Sequence, residues 1–304
     1  MGIKYPIIQG AMQWVSDASL VSAVSEAGGF GVLATADADK EFVRAEINKI
    51  RRATKKPFAV NITILSKTAK DIFDAAIEEK VPFVVTTAGN PAPFIPLLKT
   101  AGIPFLSVVA TVRQAVKMEQ MGACVVVAEG QESGGHIGEM TTMALIPQVA
   151  SALKIPIVAA GGIADGRGMA AAFMLGAEGI QMGTAFIAAK ECTVHQNFKN
   201  ALLKADCGNV VVTGRQVAHA VRCLENDLTK SFHELEKRCA APEEYAIIGK
   251  GATYRSAKEG DVTTGSVMIG QIAGLVNEEK TVSQIIRDIS GHYNSICRSL
   301  TEIS

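Results

Sequence analysis

Residues 155–188 read "IPIVAAGGIADGRGMAAAFMLGAEGIQMGTAFIA". Two apolar runs, "IPIVAAG" (155–161) and "GIQMGTAFIA" (179–188), flank a segment rich in small residues. Neither run alternates apolar with polar. Strands that read this way are covered on both faces, as in a parallel sheet. The stretch therefore reads strand, helix, strand, with glycines (Gly161, Gly162, Gly183) where the strands end.

The same unit recurs toward the N-terminus. Further strand candidates are "YPIIQG" (5–10), "FGVLAT" (30–35), "FAVNITIL" (58–65), "FVVTTAG" (83–89), "IPFLSVVA" (103–110) and "CVVVAEG" (124–130). Helix-like segments such as "DASLVSAVSEAGG" and "TVRQAVKMEQMGA" separate them and end at or near glycine, a common helix terminator. Several strands open with proline ("KKPF", "KVPF", "GIPF", "KIPI"), which a first strand residue tolerates. Eight strands and seven intervening helices leave an open doubly wound sheet or a closed barrel. Eight repeats predict a (β/α)8 TIM barrel. The open sheet expects its glycine fingerprint after the first strand, whereas "AGGFG" (27–31) precedes one.

After residue 188 the texture turns polar. Residues 190–250 read as a small helical lid inserted after the eighth strand, with the barrel formed by 1–189 and 251–304. Residues 250–266 read as loop, and 265–276 and 281–300 as closing helices.

Composition excludes some classes. Lys+Arg and Asp+Glu are both 30 and aromatics are 5%, so neither a basic footprint nor a base-stacking surface is expected. No apolar run is long enough for a membrane span, and no signal peptide is visible. Six cysteines without a C-x-x-C pair suggest reduced thiols and a cytoplasmic setting. Cys124 opens a strand, the end away from the expected site. His195, His219, His233 and His292 show no metal-ligand spacing, so no metal site is expected. Of these, His219, in the lid segment "QVAHAVR", is the one to follow.

A TIM barrel carries its site where the strands end. The last two strands end in Gly161-Gly162 and Gly183-Thr184, where backbone N–H groups can approach a phosphate. Gly10, Ala11 and Met12 end the first strand and leave room for a flat ring. Asn61, an amide in an apolar run, both donates and accepts. Gly89 ends the fourth strand and Glu129 the sixth. Then comes "QESGGHIGE" (131–139), in which Gly134, Gly135 and Gly138 surround His136. Histidine can donate or accept a proton near neutrality. Glu139 would favour the charged form of that ring.

These motifs, in this order, resemble the nitronate monooxygenase/2-nitropropane dioxygenase superfamily: "PIIQGAM", "EAGGFGVL", "VNI", "TTAGNP", "AEGQESGGHIG", "AAGGIADGRG", "MLGAEGIQMGTAF" and "GSVMIGQIAGLV". Within it the chain is most similar to the flavin-dependent enoyl-acyl-carrier-protein reductases of type II fatty acid synthesis. The resemblance implies a barrel holding FMN, NADH or NADPH as co-substrate, an enoyl thioester on acyl carrier protein as substrate, a homodimer, and a response to monovalent cations. It implies that His136 is catalytic. Gly161, Gly162, Gly183 and Thr184 would hold the FMN phosphate. Gly10, Ala11, Met12, Asn61, Gly89, Glu129, Gly134 and Gln271 would line the ring and ribityl chain. The alternative chemistry is oxygen-dependent oxidation of alkyl nitronates, as in a nitronate monooxygenase.

Overall fold

The computed structural model describes residues 1–301. Eight parallel strands close a barrel: β1 (Ile7–Gln9), β2 (Phe30–Leu33), β3 (Phe58–Thr63), β4 (Phe83–Thr87), β5 (Phe105–Val109), β6 (Val125–Glu129), β8 (Ile157–Ala160) and β9 (Gly179–Met182). The barrel shuts where β9 pairs with β1, Gln181 opposite Ile8. Each falls inside a run read from sequence. The strand between β6 and β8, β7 (Gly135–His136), lies outside the barrel.

Seven helices follow the first seven barrel strands: α1 (Ala18–Glu26), α2 (Lys40–Ala53), α3 (Ala69–Glu78), α4 (Ile95–Ala101), α5 (Val112–Met121), α6 (Thr142–Ala152) and α7 (Gly166–Met174). Local chemistry sets their ends. Asp17 caps α1 by accepting from the N–H groups of Ser19 and Leu20. Gly102 and Gly122 end α4 and α5 in the left-handed conformation that favours glycine.

Two apolar layers hold the barrel. Between strands and helices lies the larger, with Ile7, Leu33, Val60, Val84 and Val126 among its buried members. Inside the barrel lies the smaller, built from Ile8, Phe30, Val32, Ala59, Val85, Leu106, Val125, Val127, Val158 and Ala160. Inward side chains recur every second residue. Carrying that parity to the strand ends turns Asn61 inward after Ala59, and Glu129 inward after Val125 and Val127. On β9, Ile180 belongs to the outer layer, so Gln181 faces in.

After β9 come α8 (Thr184–Ile187), α9 (Gln196–Lys204), β10 (Val210–Thr213), β11 (Val221–Leu224), α10 (Asp227–Lys237), α11 (Pro242–Gly249), α12 (Ala252–Tyr254) and α13 (Val282–Thr301). The insertion is therefore not purely helical. β10 and β11 form an antiparallel pair, and β11 pairs in turn with β7, placing Val221 opposite His136 and Arg222 opposite Gly135. This three-stranded sheet joins the insertion to the loop after β6. Two more sequence expectations change. Residues 252–259, read as loop, form α12 and a π-helical turn (Arg255–Glu259). Residues 265–270, read as helix, have no helical turn, and only Gln271–Leu275 coils, as a 3-10 helix. α13 completes the outer ring against α7, with Phe173 and Tyr293 edge to face at 5.2 Å. No helix among the described residues is long and apolar enough to cross a membrane.

Candidate active site

Above the apolar plug of the barrel sits a polar tier. Asn61 and Gln181 are buried, and Glu129 is half-buried. Glu129 on β6 and Gln181 on β9 both register with Ala160 on the strand between them. Asn61 donates through Nδ2 to Thr87 Oγ1 at 3.3 Å, while its Oδ1 is buried and makes no hydrogen bond within the protein. A buried acceptor without a donor is costly, by about 1–3 kcal/mol. Burial pushes the Glu129 carboxyl up to about 7, and the Ser133 hydroxyl opposes that shift.

The glycines do several different jobs. A Cβ on Gly10 would press on the Gln181 side chain at 3.1 Å, and one on Gly183 would meet Met12 Sδ at 3.2 Å. The β1 and β9 ends are thus packed against each other. Gly161 (φ +91°) and Gly162 (φ +72°) are both left-handed. At Gly161 a Cβ would lie 2.7 Å from the Gly130 carbonyl oxygen, whereas at Gly162 the nearest atom is 3.5 Å away on the Glu132 side chain. Gly89 (φ +143°) has no room either, with Ile64 Cβ at 2.7 Å.

The crowding around "QESGGHIGE" comes from the chain itself. A Cβ on Gly134 would strike the Ile269 carbonyl carbon at 2.6 Å, and one on Gly138 would strike Ala110 Cβ at 2.6 Å. Gly135 needs glycine for its φ of +77°. The loop is thin because segment 268–271 runs over it: Gln271 N–H donates to the Glu132 carbonyl at 2.9 Å, and Gly270 N–H donates to Thr184 Oγ1 at 2.9 Å. Thr184 and Gly270, 86 positions apart in sequence, meet in this way.

Of the two helix N-termini expected near a phosphate, that of α7 is already occupied. Asp165 accepts from the N–H groups of Arg167 and Gly168. α8 begins at Thr184 without a side-chain cap.

His136 stands on β7 with an exposed side chain, facing His219 from the turn before β11. Their Nε2 atoms are 2.7 Å apart and their rings 77° apart in plane. Desolvation by the protein packed around the imidazole lowers the His136 pKa to about 4 although the residue keeps an exposed face, and the neighbouring His219 adds to the shift. The expected effect of Glu139 is absent: it is exposed and does not act on the ring.

Sequence reasoning missed Glu132 and Thr142 as parts of this site. Glu132 accepts from Thr142 N–H at 3.0 Å and Thr142 Oγ1 at 2.9 Å, and Thr142 Oγ1 is also 3.0 Å from the Gly161 carbonyl. A cap that reaches Thr142 from ten residues upstream leaves no local sequence signal. Arg222, which with Arg215 reads from sequence as a solvated lid arginine or a contact for a nicotinamide 2′-phosphate, is instead buried and donates to the Gln131 carbonyl at 3.1 Å, fastening the insertion to the loop.

The nitronate monooxygenase family model matches residues 1–291. A structure of FabK from Thermotoga maritima superposes with TM-score 0.96 at 43% identity, covering 99% of this chain and 96% of that one. A nitroalkane oxidase from Streptomyces ansochromogenes superposes with TM-score 0.86 at 25% identity, over 98% of each chain. Among curated proteins, the (3aS,4S,5R,7aS)-5-hydroxy-7a-methyl-1-oxo-octahydro-1H-indene-4-carboxyl-CoA dehydrogenase of Mycobacterium tuberculosis is 31% identical, covering 95% of this chain and 93% of that protein. The probable nitronate monooxygenase of Staphylococcus saprophyticus is 32% identical, over 78% and 80%. A match over residues 1–291, on a closed barrel whose mouth carries this polar tier, means that the chain belongs to the nitronate monooxygenase family of FMN-dependent oxidoreductases.

Proposed function

We propose that the protein reduces trans-2-enoyl thioesters, using NADH or NADPH as electron source and FMN as bound carrier. The observation that carries this reading is the likeness to FabK along 99% of the chain at 43% identity, against 25% for the nitroalkane oxidase.

The residues fit FMN. The unmet Oδ1 of Asn61 would accept from an N–H on the ring edge. Gly162, where an added Cβ would meet only the Glu132 side chain at 3.5 Å, together with Gly161, Gly183 and Thr184, suits a phosphate approached by backbone. Gly10, Ala11, Met12, Gly89, Glu129, Gly134 and Gln271 complete the proposed lining. When bound, FMN supplies two-electron transfer between the nicotinamide and the double bond.

The chain's own part is electrostatic. With its pKa lowered, His136 is neutral at pH 7, and a neutral imidazole N–H is better suited to holding a carbonyl than to surrendering a proton. It would donate to the thioester oxygen, where negative charge gathers as the β-carbon accepts hydride. Below pH 7 Glu129 adds a carboxylic O–H donor at the barrel mouth. In this reading the thioester is carried on acyl carrier protein, and the enzyme works as a homodimer in the cytoplasm. A monovalent cation has no assigned ligands.

Anaerobic turnover is the test. If crotonyl thioester is not reduced with either nicotinamide, the reading is wrong. A nitronate monooxygenase reading draws on the relative of that name from Staphylococcus saprophyticus. There His136 would bind or deprotonate the nitronate, and oxygen uptake with propyl-1-nitronate, without nicotinamide, would favour it.

A further inference from the structure

The two rings at the mouth hold one proton between them. At 2.7 Å, Nε2 of His136 and Nε2 of His219 cannot both donate or both accept. One carries the hydrogen and the other presents a lone pair. Nδ1 of His136 makes no hydrogen bond among the described residues, so it is the ring nitrogen left for a ligand.

His219 is held firmly. Its N–H donates to the Gly214 carbonyl at 2.9 Å, and the next carbonyl, of Ala220, accepts from Ile137 N–H at 3.1 Å. Gly214 has φ +81°, and a Cβ there would lie 2.3 Å from the His219 carbonyl oxygen. Ala218 takes φ +54°, which an alanine rarely adopts. Gly214 N–H is anchored to Glu236 Oε1 at 2.7 Å. A residue whose backbone is fixed on both flanks, and whose ring meets a second ring, has the build of a group that orients its partner.

We propose that His219 is a positioning residue. Its Nε2–H donates to Nε2 of His136 and so holds His136 as the Nδ1–H tautomer, which presents Nδ1–H to the substrate carbonyl. This rests on the reading above that His136 donates to a thioester oxygen. The opposite assignment would leave Nδ1 of His136 as an acceptor, unable to stabilise an enolate. The proton that defines the site is therefore set from the insertion, 83 residues away in sequence.

The test uses full-length holoenzyme carrying ¹⁵N-labelled histidine, with His136 signals identified by their loss in His136→Asn. In the wild type, Nδ1 of His136 is expected protonated and Nε2 not. His219→Leu should lose that pattern and lower kcat about 10- to 100-fold. KM for the nicotinamide and flavin content should not change. His219→Gln, whose amide N–H can replace the donor, should recover most of the loss and the tautomer. Wild-type kcat in His219→Leu with an unchanged tautomer overturns the proposal. So does a His219→Gln variant as impaired as His219→Leu. A tautomer that follows these variants in a protein that never reduces enoyl thioesters would leave the positioning role standing and remove the proposed reaction.

Discussion

Glu132 caps α6 from outside the helix, through Thr142. The residue at the usual capping position, Thr141, makes no such bond. Both carboxylate oxygens of Glu132 reach Thr142 N–H at 3.0 Å instead, and a negative charge there suits the helix dipole. The single Thr142 hydroxyl hydrogen lies between Glu132 Oε2 at 2.9 Å and the Gly161 carbonyl oxygen at 3.0 Å and is shared between the two acceptors. One carboxylate so ties the loop after β6 to the end of β8. Glu132→Ala should lower stability by about 1–2 kcal/mol, the usual value of a lost cap. The denaturant midpoint should fall with the slope unchanged, and Glu132→Gln, which keeps an acceptor, should lie between. An unshifted midpoint in Glu132→Ala would show that the cap is incidental.

Asn61 separates stability from cofactor affinity. Its Oδ1 is buried without a donor. Leucine keeps the branched shape, removes the unmet Oδ1 and leaves Thr87 Oγ1 paired with Thr63 Oγ1 at 3.4 Å, while its larger methyl groups add some crowding, so Asn61→Leu should leave the FMN-free protein about as stable as the wild type. FMN binding should weaken about tenfold, equivalent to about 1.4 kcal/mol. Flavin fluorescence after ultrafiltration reads the affinity, and thermal unfolding reads the stability. Unchanged FMN affinity would remove Asn61 from the flavin site.

The barrel was legible because burial on both faces leaves a plain mark: long apolar runs ending in glycine. The polar tier was legible for the same reason, since Asn61 and Glu129 interrupt such runs. What escaped was whatever depends on distant pairing. β7 is two residues long and exists because β11 lies beside it. "GSVMIG" contains enough apolar residues to read as helix, yet it is drawn out between the insertion and the loop at Glu132. There Val267 and Ile269 are buried and alternate with the half-buried Met268. Gly134 and Gly138 answer to Ile269 and Ala110, contacts that no local pattern announces.

Glu129 should give stability an unusual pH response. Its carboxyl is raised from 4.5 to about 7 in the fold. Between these values the folded chain holds a proton that the unfolded chain has lost, so its contribution falls as pH rises. His136 acts oppositely, lowered from 6.5 to about 4, so its contribution rises with pH across that range. The two offset each other in the wild type. Glu129→Gln removes one of them. Its thermal midpoint relative to wild type should therefore be higher at pH 8 than at pH 5. Equal differences at both pH values would show that Glu129 is not held neutral by burial.

Gly161 and Gly162 are neighbours with the same handedness but different surroundings, and alanine should tell them apart. Both positions impose left-handed strain of about 1–2 kcal/mol on a side-chain-bearing residue. At Gly161 the methyl would also meet the Gly130 carbonyl oxygen at 2.7 Å and Thr142 Oγ1 at 3.1 Å. Backbone there has little freedom to shift, so Gly161→Ala should cost about 2–4 kcal/mol in all. At Gly162 the methyl meets only the Glu132 side chain at 3.5 Å, so Gly162→Ala should cost little beyond the strain. It would nonetheless occupy the space assigned to phosphate. Gly162→Ala should thus lose FMN affinity at least about tenfold while losing less stability than its neighbour. Chemical denaturation and flavin titration of the two variants, side by side, decide the matter. Wild-type FMN affinity in Gly162→Ala would move the phosphate elsewhere, and equal stability losses would mean that the clash at Gly161 is relieved by movement of β6.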